Sequence, residues 1–116
     1  MLAEEINETE SQIMQIIIYA GDAKKHAYDS LRDVNDGNYE NADKEMNMAH
    51  ESLVTAHNAQ TSLLQNEARG KKTEITALFV HAQDHLMTSI TEINLIEQIV
   101  ELRKVVNTLL EGKNNQ

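Results

Sequence analysis

A chain of 116 residues with no Pro or Trp, one Phe and four Gly is composed for helix and is large enough for one modest core. One all-α domain over residues 1–116 is expected, and a roomy enclosed pocket is excluded. The formal net charge of −9, with ten scattered Lys and Arg, excludes nucleic acid as a partner and disfavours an anionic membrane surface.

The absence of Cys rules out disulfides and thiolate metal sites. No apolar run approaches the roughly 20 residues of a membrane span, so no direct membrane insertion is expected. The opening residues Met1-Leu2-Ala3-Glu4-Glu5-Ile6-Asn7-Glu8 lack the basic start and apolar stretch of a secretory signal, which points to the cytoplasm.

Glycines divide the chain. Asn35-Asp36-Gly37-Asn38 reads as one turn, Ala68-Arg69-Gly70-Lys71-Lys72 as a second, and Gly112 as the start of a polar tail. A first helix over about residues 4 to 35 carries an apolar stripe at Ile13, Ile17, Ala20, Ala27, Leu31 and Val34, with Gly21 marking a place of close packing. A second, over about residues 38 to 67, carries a heptad seam of Tyr39, Ala42, Met46, Ala49, Leu53, Ala56, Gln60 and Leu63. Gln60 breaks that seam with a buried polar group. Short connections favour an antiparallel, up-down-up three-helix bundle.

The third helix, over about residues 73 to 110, carries two apolar stripes on nearly opposite sides. Ile75, Leu78, Ala82, Leu86, Ile93, Ile96 and Val100 form one. Leu95, Ile99, Leu102, Val106 and Leu109 form the other, confined to the C-terminal half. A three-helix monomer covers only one stripe, so the second is expected to meet another chain. Followed toward the N-terminus, it becomes Thr88, Asp84 and His81.

His81, Asp84 and His85 stand at i, i+3 and i+4 and so emerge within one turn. A neutral imidazole is a good nucleophile near pH 7. Phosphoryl transfer suits such a group, because the protein mainly positions the attacking atom and supplies donors to three equatorial oxygens, for which His85 and Thr88 are candidates. Asp84 opposes a phosphate: at about 6 Å and an effective dielectric of 20, one charge pair costs roughly 3 kcal/mol. If three chains met along the second stripe, three Asp84 carboxylates about 5 Å apart would repel by roughly 10 kcal/mol, and a hard cation or protons would be needed.

A competing reading has His81, Asp84 and His85 bind Zn within one chain. His26 and His50 read as packed or solvated histidines. His57, three residues before Gln60, reads as a hydrogen-bonding core residue rather than a wall of a cleft.

Val80-His81-Ala82-Gln83-Asp84-His85-Leu86-Met87-Thr88 resembles the active-site helix of a known family, the enzyme IIA components of the lactose, cellobiose and chitobiose branch of the phosphoenolpyruvate-dependent sugar phosphotransferase system. Tyr19-Ala20-Gly21-Asp22-Ala23, Asp36-Gly37-Asn38-Tyr39 and Ala56-His57-Asn58-Ala59-Gln60-Thr61 look like further family segments in the same order. The resemblance implies that His81 accepts phosphate from the histidine phosphocarrier protein and passes it to a cysteine of a cognate IIB component, for uptake of a β-disaccharide such as cellobiose, chitobiose or lactose. It also implies a nine-helix homotrimer, with Asp84 binding a divalent metal, expected to be Mg, on the threefold axis. His85 and Gln83 belong to the matching motif as supporting residues, although Gln83 falls on the opposite side of the helix from His81. A non-catalytic helical adaptor whose trimer is pinned by a metal remains an alternative reading.

Overall fold

Three rows of small and aliphatic side chains, each stepping alternately by three and four residues, generate the architecture. The computed structural model describes the backbone of residues 2–114 and the side chains of residues 8–113. It contains α1 (Leu2–Asn35), α2 (Tyr39–Ala68) and α3 (Ala77–Asn114), with no strand among the described residues. α1 buries Ile13, Ile16, Ala20, Ala23, Ala27, Ser30 and Val34; α3 buries Ala82, Leu86, Ser89, Ile93, Ile96 and Val100. α2 buries Ala42, Met46, Ala49, Ala56, Ala59 and Leu63. A repeat of 3.5 keeps such seams facing one another when the helices cross shallowly, at about 20°. The product is a rod of 71 × 21 × 18 Å.

Alanine decides which helices lie closest. The Ala-rich seams of α1 and α2 let those two backbones approach most intimately, and α1 also packs along α3. α2 and α3 meet chiefly through long polar side chains: Gln60 Nε2 donates to Gln83 Oε1 at 2.8 Å, His50 Nε2 lies 2.7 Å from Glu97 Oε2, and Lys104 Nζ is 3.0 Å from Asp43 Oδ1. Gln60 is therefore half-buried and paired, not an orphan in the seam.

Both glycine turns stop a helix as expected. Asn38 N donates to Asp33 O and Gly37 N to Val34 O; Lys71 N donates to Asn66 O and Gly70 N to Glu67 O. These are paired Schellman closures, and they place Gly37 (φ 79°) and Gly70 (φ 92°) in the left-handed region that a Cβ would strain. Asn107 Nδ2 from α3 also donates to Val34 O at 3.0 Å, so that this carbonyl at the end of α1 accepts twice.

Three expectations need correction. α3 starts at Ala77 rather than near residue 73, because the hydroxyl of Thr76, not that of Thr73, accepts the amide of Phe79 at 3.1 Å and caps the helix. Ile75 consequently lies before the helix, 81% exposed, and Leu78 is also exposed, so neither belongs to the core. Gly112 does not open a tail. α3 continues to Asn114, since the roughly 1 kcal/mol helix penalty of a Gly is too small to halt an already propagating helix. Residues 115 and 116 lie outside the described residues. On α1 the deepest positions include Ile16 and Ala23, while Ile17 and Leu31 pack at the flank.

One buried polar atom lacks a partner among the described residues: Ser89 Oγ, on the core face of α3. An unpaired hydroxyl there costs about 1–3 kcal/mol in lost hydration. Ser89→Ala is expected to raise the unfolding free energy by about 1 kcal/mol in chemical denaturation. An unchanged or lower midpoint would show that Oγ has a partner in solution.

Candidate functional site

With Ala82 and Leu86 committed to the core, the residues beside them on α3 divide between two surfaces. His81, Asp84 and Thr88 are exposed, on the sector that continues into the second apolar stripe. That stripe is uncovered: Leu95, Leu102 and Leu109 are 60%, 62% and 67% exposed, and Ile99 and Val106 are exposed as well. Leu78, Val80 and Met87 of the same helix stretch also face solvent.

His85 is half-buried and lies under His81. The two imidazoles are stacked, with centroids 6.0 Å apart and planes 1° from parallel. Gly21 of α1 faces this ring: a Cβ there would sit 3.5 Å from His85 Nε2, an ordinary van der Waals contact. The expected close approach at Gly21 is thus made to a side chain of the site. Burial, followed by the positive charges of Lys24 and His81, holds the His85 pKa below the ordinary histidine value against the opposing carboxylates of Asp84 and Glu92. At neutral pH His85 is an uncharged imidazole with one ring donor and one acceptor.

Asp84 is exposed, and among the described residues no cation pairs with it. The Thr88 hydroxyl donates to the Asp84 carbonyl at 2.8 Å, a back-bond within the helix. Its proton is therefore engaged, and Thr88 is not the free donor expected from its position. Gln83 points toward α2, where it accepts from Gln60, so the structure does not bring it to His81. The Zn reading fails on geometry. With the two rings face to face, His81, Asp84 and His85 do not converge, and the group of metal-ligating types that does converge among the described residues is His26, Asp29 and Glu45.

That second group is already internally paired. His26 Nδ1 lies 2.6 Å from Glu45 Oε2, while Arg32 and Lys25 take the Asp29 carboxylate. His50 pairs with Glu97. Both histidines therefore fit their structural readings. His57 does not: it is exposed on α2 instead of packed in the core, because the inward-facing positions of that stretch are Ala56, Ala59 and Gln60.

A cluster that sequence spacing did not reveal lies beside His85. Lys24 Nζ on α1 is 3.0 Å from Glu92 Oε2 on α3, and the Tyr28 hydroxyl donates to the other oxygen of Glu92. The hydrogen bond from Tyr28 and the charge of Lys24 both draw the Glu92 pKa down. Lys24 and Tyr28 are one turn apart on α1, but their convergence with Glu92 depends on the register between two helices, which no local pattern records. A cleft of about 580 Å³ lies between the start of α1 and the α2–α3 connection, and Leu78 links its lining to α3.

Comparison with known proteins is consistent with this arrangement. Residues 11–104 match the family described as PTS system, Lactose/Cellobiose specific IIA subunit. The chain is similar to the lichenan-specific phosphotransferase enzyme IIA component of Bacillus subtilis (strain 168), at 44% identity over 95 residues covering 82% of this chain and 86% of the relative. Its structure resembles the crystal structure of the cellobiose-specific enzyme IIA of Bacillus anthracis with a TM-score of 0.83, at 40% identity covering 86% of this chain and 92% of that one. It also resembles the IIA(Chitobiose) chain solved in complex with HPr from Escherichia coli, with a TM-score of 0.74 and 33% identity over 85% of this chain and 96% of that one.

Proposed function

Because the chain belongs to the lactose/cellobiose-specific IIA subunits of the sugar phosphotransferase system, and is a phosphocarrier of that system, we propose that His81 carries the phosphoryl group. The observation that supports this is the state of its imidazole. His26 and His50 are paired with carboxylates, His85 is half-buried beside Gly21, and His57 stands on α2. His81 alone combines exposure with a second imidazole stacked behind it.

In the proposed reaction a ring-nitrogen lone pair of His81 attacks the phosphorus of a phosphohistidine on the histidine phosphocarrier protein. The new N–P bond forms as the donor's N–P bond breaks, and the donor nitrogen keeps its electron pair. A cysteine thiolate of the cognate IIB component then attacks the same phosphorus, and the electron pair returns to His81. The HPr complex of the chitobiose relative supports this donor. The sugar, of the β-disaccharide class, is handled elsewhere in the system. His85, neutral at pH 7, has one N–H to offer a phosphoryl oxygen. Gln83, engaged with Gln60, would act only by supporting the packing of α2 on α3.

We further infer a homotrimer in which three copies of α3 meet along the uncovered stripe, giving nine helices. Asp84 suits a divalent cation at that junction: an exposed carboxylate on the same sector, with no cation paired to it among the described residues. Magnesium, which prefers hard oxygen ligands, would neutralise the converging carboxylates when bound. No helix is long and apolar enough to cross a membrane, and the reading places the chain in the cytoplasm beside its soluble donor.

Incubation with phosphoenolpyruvate, enzyme I and the histidine phosphocarrier protein is expected to add one acid-labile phosphoryl group per chain, seen by intact-protein mass. His81→Ala is expected to lose it entirely. Labelling that survives in His81→Ala would remove His81 from the role.

A further inference from the structure

α1 and α3 run in step. Gly21 lies against His85 and Tyr28 is bonded to Glu92, and both pairs are offset by 64 residues. Lys24 therefore lies level with Thr88, one turn beyond His85 and two turns beyond His81 along the rod. Its ammonium rests on Glu92 Oε2 at 3.0 Å, with the two side chains 37% and 31% exposed. This leaves the flexible stem free to swing. Glu92 is fixed from its other oxygen by Tyr28.

A phosphoryl group arriving on His81 changes the charges around this cluster. It adds about two negative charges beside the Asp84 carboxylate. Lys24 is a permanent cation on the neighbouring helix, one turn beyond His85 along the rod. A dianion with three acceptor oxygens is a stronger attractor for an ammonium than one carboxylate already shared with a phenol.

We propose that Lys24 is a phosphoryl-binding residue of this carrier: Glu92, fixed by Tyr28, holds it in the free chain, and its ammonium moves to the phosphoryl oxygens once His81 is modified. No bond is made to Lys24, and the N–P bonds exchange as described above. The inference rests on His81 being the phosphorylated residue. It adds a reason for the Lys24–Glu92–Tyr28 cluster to stand beside His85, where it joins only α1 to α3.

The test measures the rate of phosphoryl acceptance from the phosphorylated histidine phosphocarrier protein, together with the ³¹P spectrum of the product. Lys24→Met is expected to be labelled to completion but roughly tenfold more slowly, the worth of one charge-assisted hydrogen bond, and to shift the phosphoramidate resonance. Lys24→Arg restores the rate, and Glu92→Gln, which removes the competing negative charge, accepts phosphate faster than the unaltered chain. Wild-type kinetics and spectrum in Lys24→Met would overturn the proposal. So would a loss of equal size in Lys24→Met and Glu92→Gln, the signature of an ion pair that only joins helices. His81→Ala in the same series separates the two ideas, because labelling that persists there refutes the His81 reading, whatever Lys24 does.

Discussion

Asp84→Leu is expected to stabilise the proposed trimer when the divalent cation is chelated. Three carboxylates brought together on one axis repel strongly without a cation, by an amount on the order of 10 kcal/mol before protonation and solvent relax it. Leucine replaces that repulsion with apolar contact continuous with Leu95 and Ile99. Exchanges of buried charge for hydrophobic packing typically gain about 1–4 kcal/mol, and a gain in this range is the expected result. Thermal melting in chelator, at fixed protein concentration, reads it directly. A melting temperature at or below that of the unaltered protein would mean that the Asp84 side chains do not converge. With magnesium present the advantage should shrink, because the cation already neutralises the unaltered site.

The second large effect lies about five turns further along the same stripe. Leu102 is 62% exposed in the single chain, and its neighbours Ile99 and Val106 continue the apolar row. Burying three such leucines contributes about 1.5–3 kcal/mol each. Leu102→Lys removes that gain and sets three ammoniums against one another, so the variant is expected to sediment as a monomer at micromolar concentration. Circular dichroism should remain helical, because Leu102 lies outside the rows that hold α1, α2 and α3 together. A trimer that persists in Leu102→Lys would move the subunit contact off this stripe.

Much of this molecule is written in its periodicities. The two glycine turns follow from dipeptides that favour left-handed backbone, and the exposed second row on α3 follows from counting at 100° per residue. The heptad seam on α2 was legible almost residue for residue. The start of α3 was not, because it is the observed bond from the Phe79 amide to the Thr76 hydroxyl that fixes where the helix begins. His57 was misjudged because its neighbours Ala56 and Ala59 are small, so a modest rotation of the seam turns it to solvent. At the site, spacing put His81, Asp84 and His85 within one turn of α3, where the structure has them, while the roles proposed for them come from the family resemblance. Lys24, Tyr28 and Glu92 could not be brought together in that way, since their meeting depends on how far one helix slides along another. The partnership of Gln83 with Gln60 was similarly hidden, although its orientation away from His81 was already implied by the helical wheel.

The cap at Thr76 has an electrostatic consequence. It makes His81 the fifth residue of α3, about 6 Å along the axis from the first unpaired amides, whereas a helix begun at residue 73 would have left it about twice as far away. Aligned peptide dipoles place partial positive charge at that end, and their influence fades within a turn or so. Loading the ring with a dianion is therefore favoured by a few tenths of a kcal/mol over the same ring at mid-helix. So small a bias leaves the phosphoryl group easy to pass on, as a carrier requires.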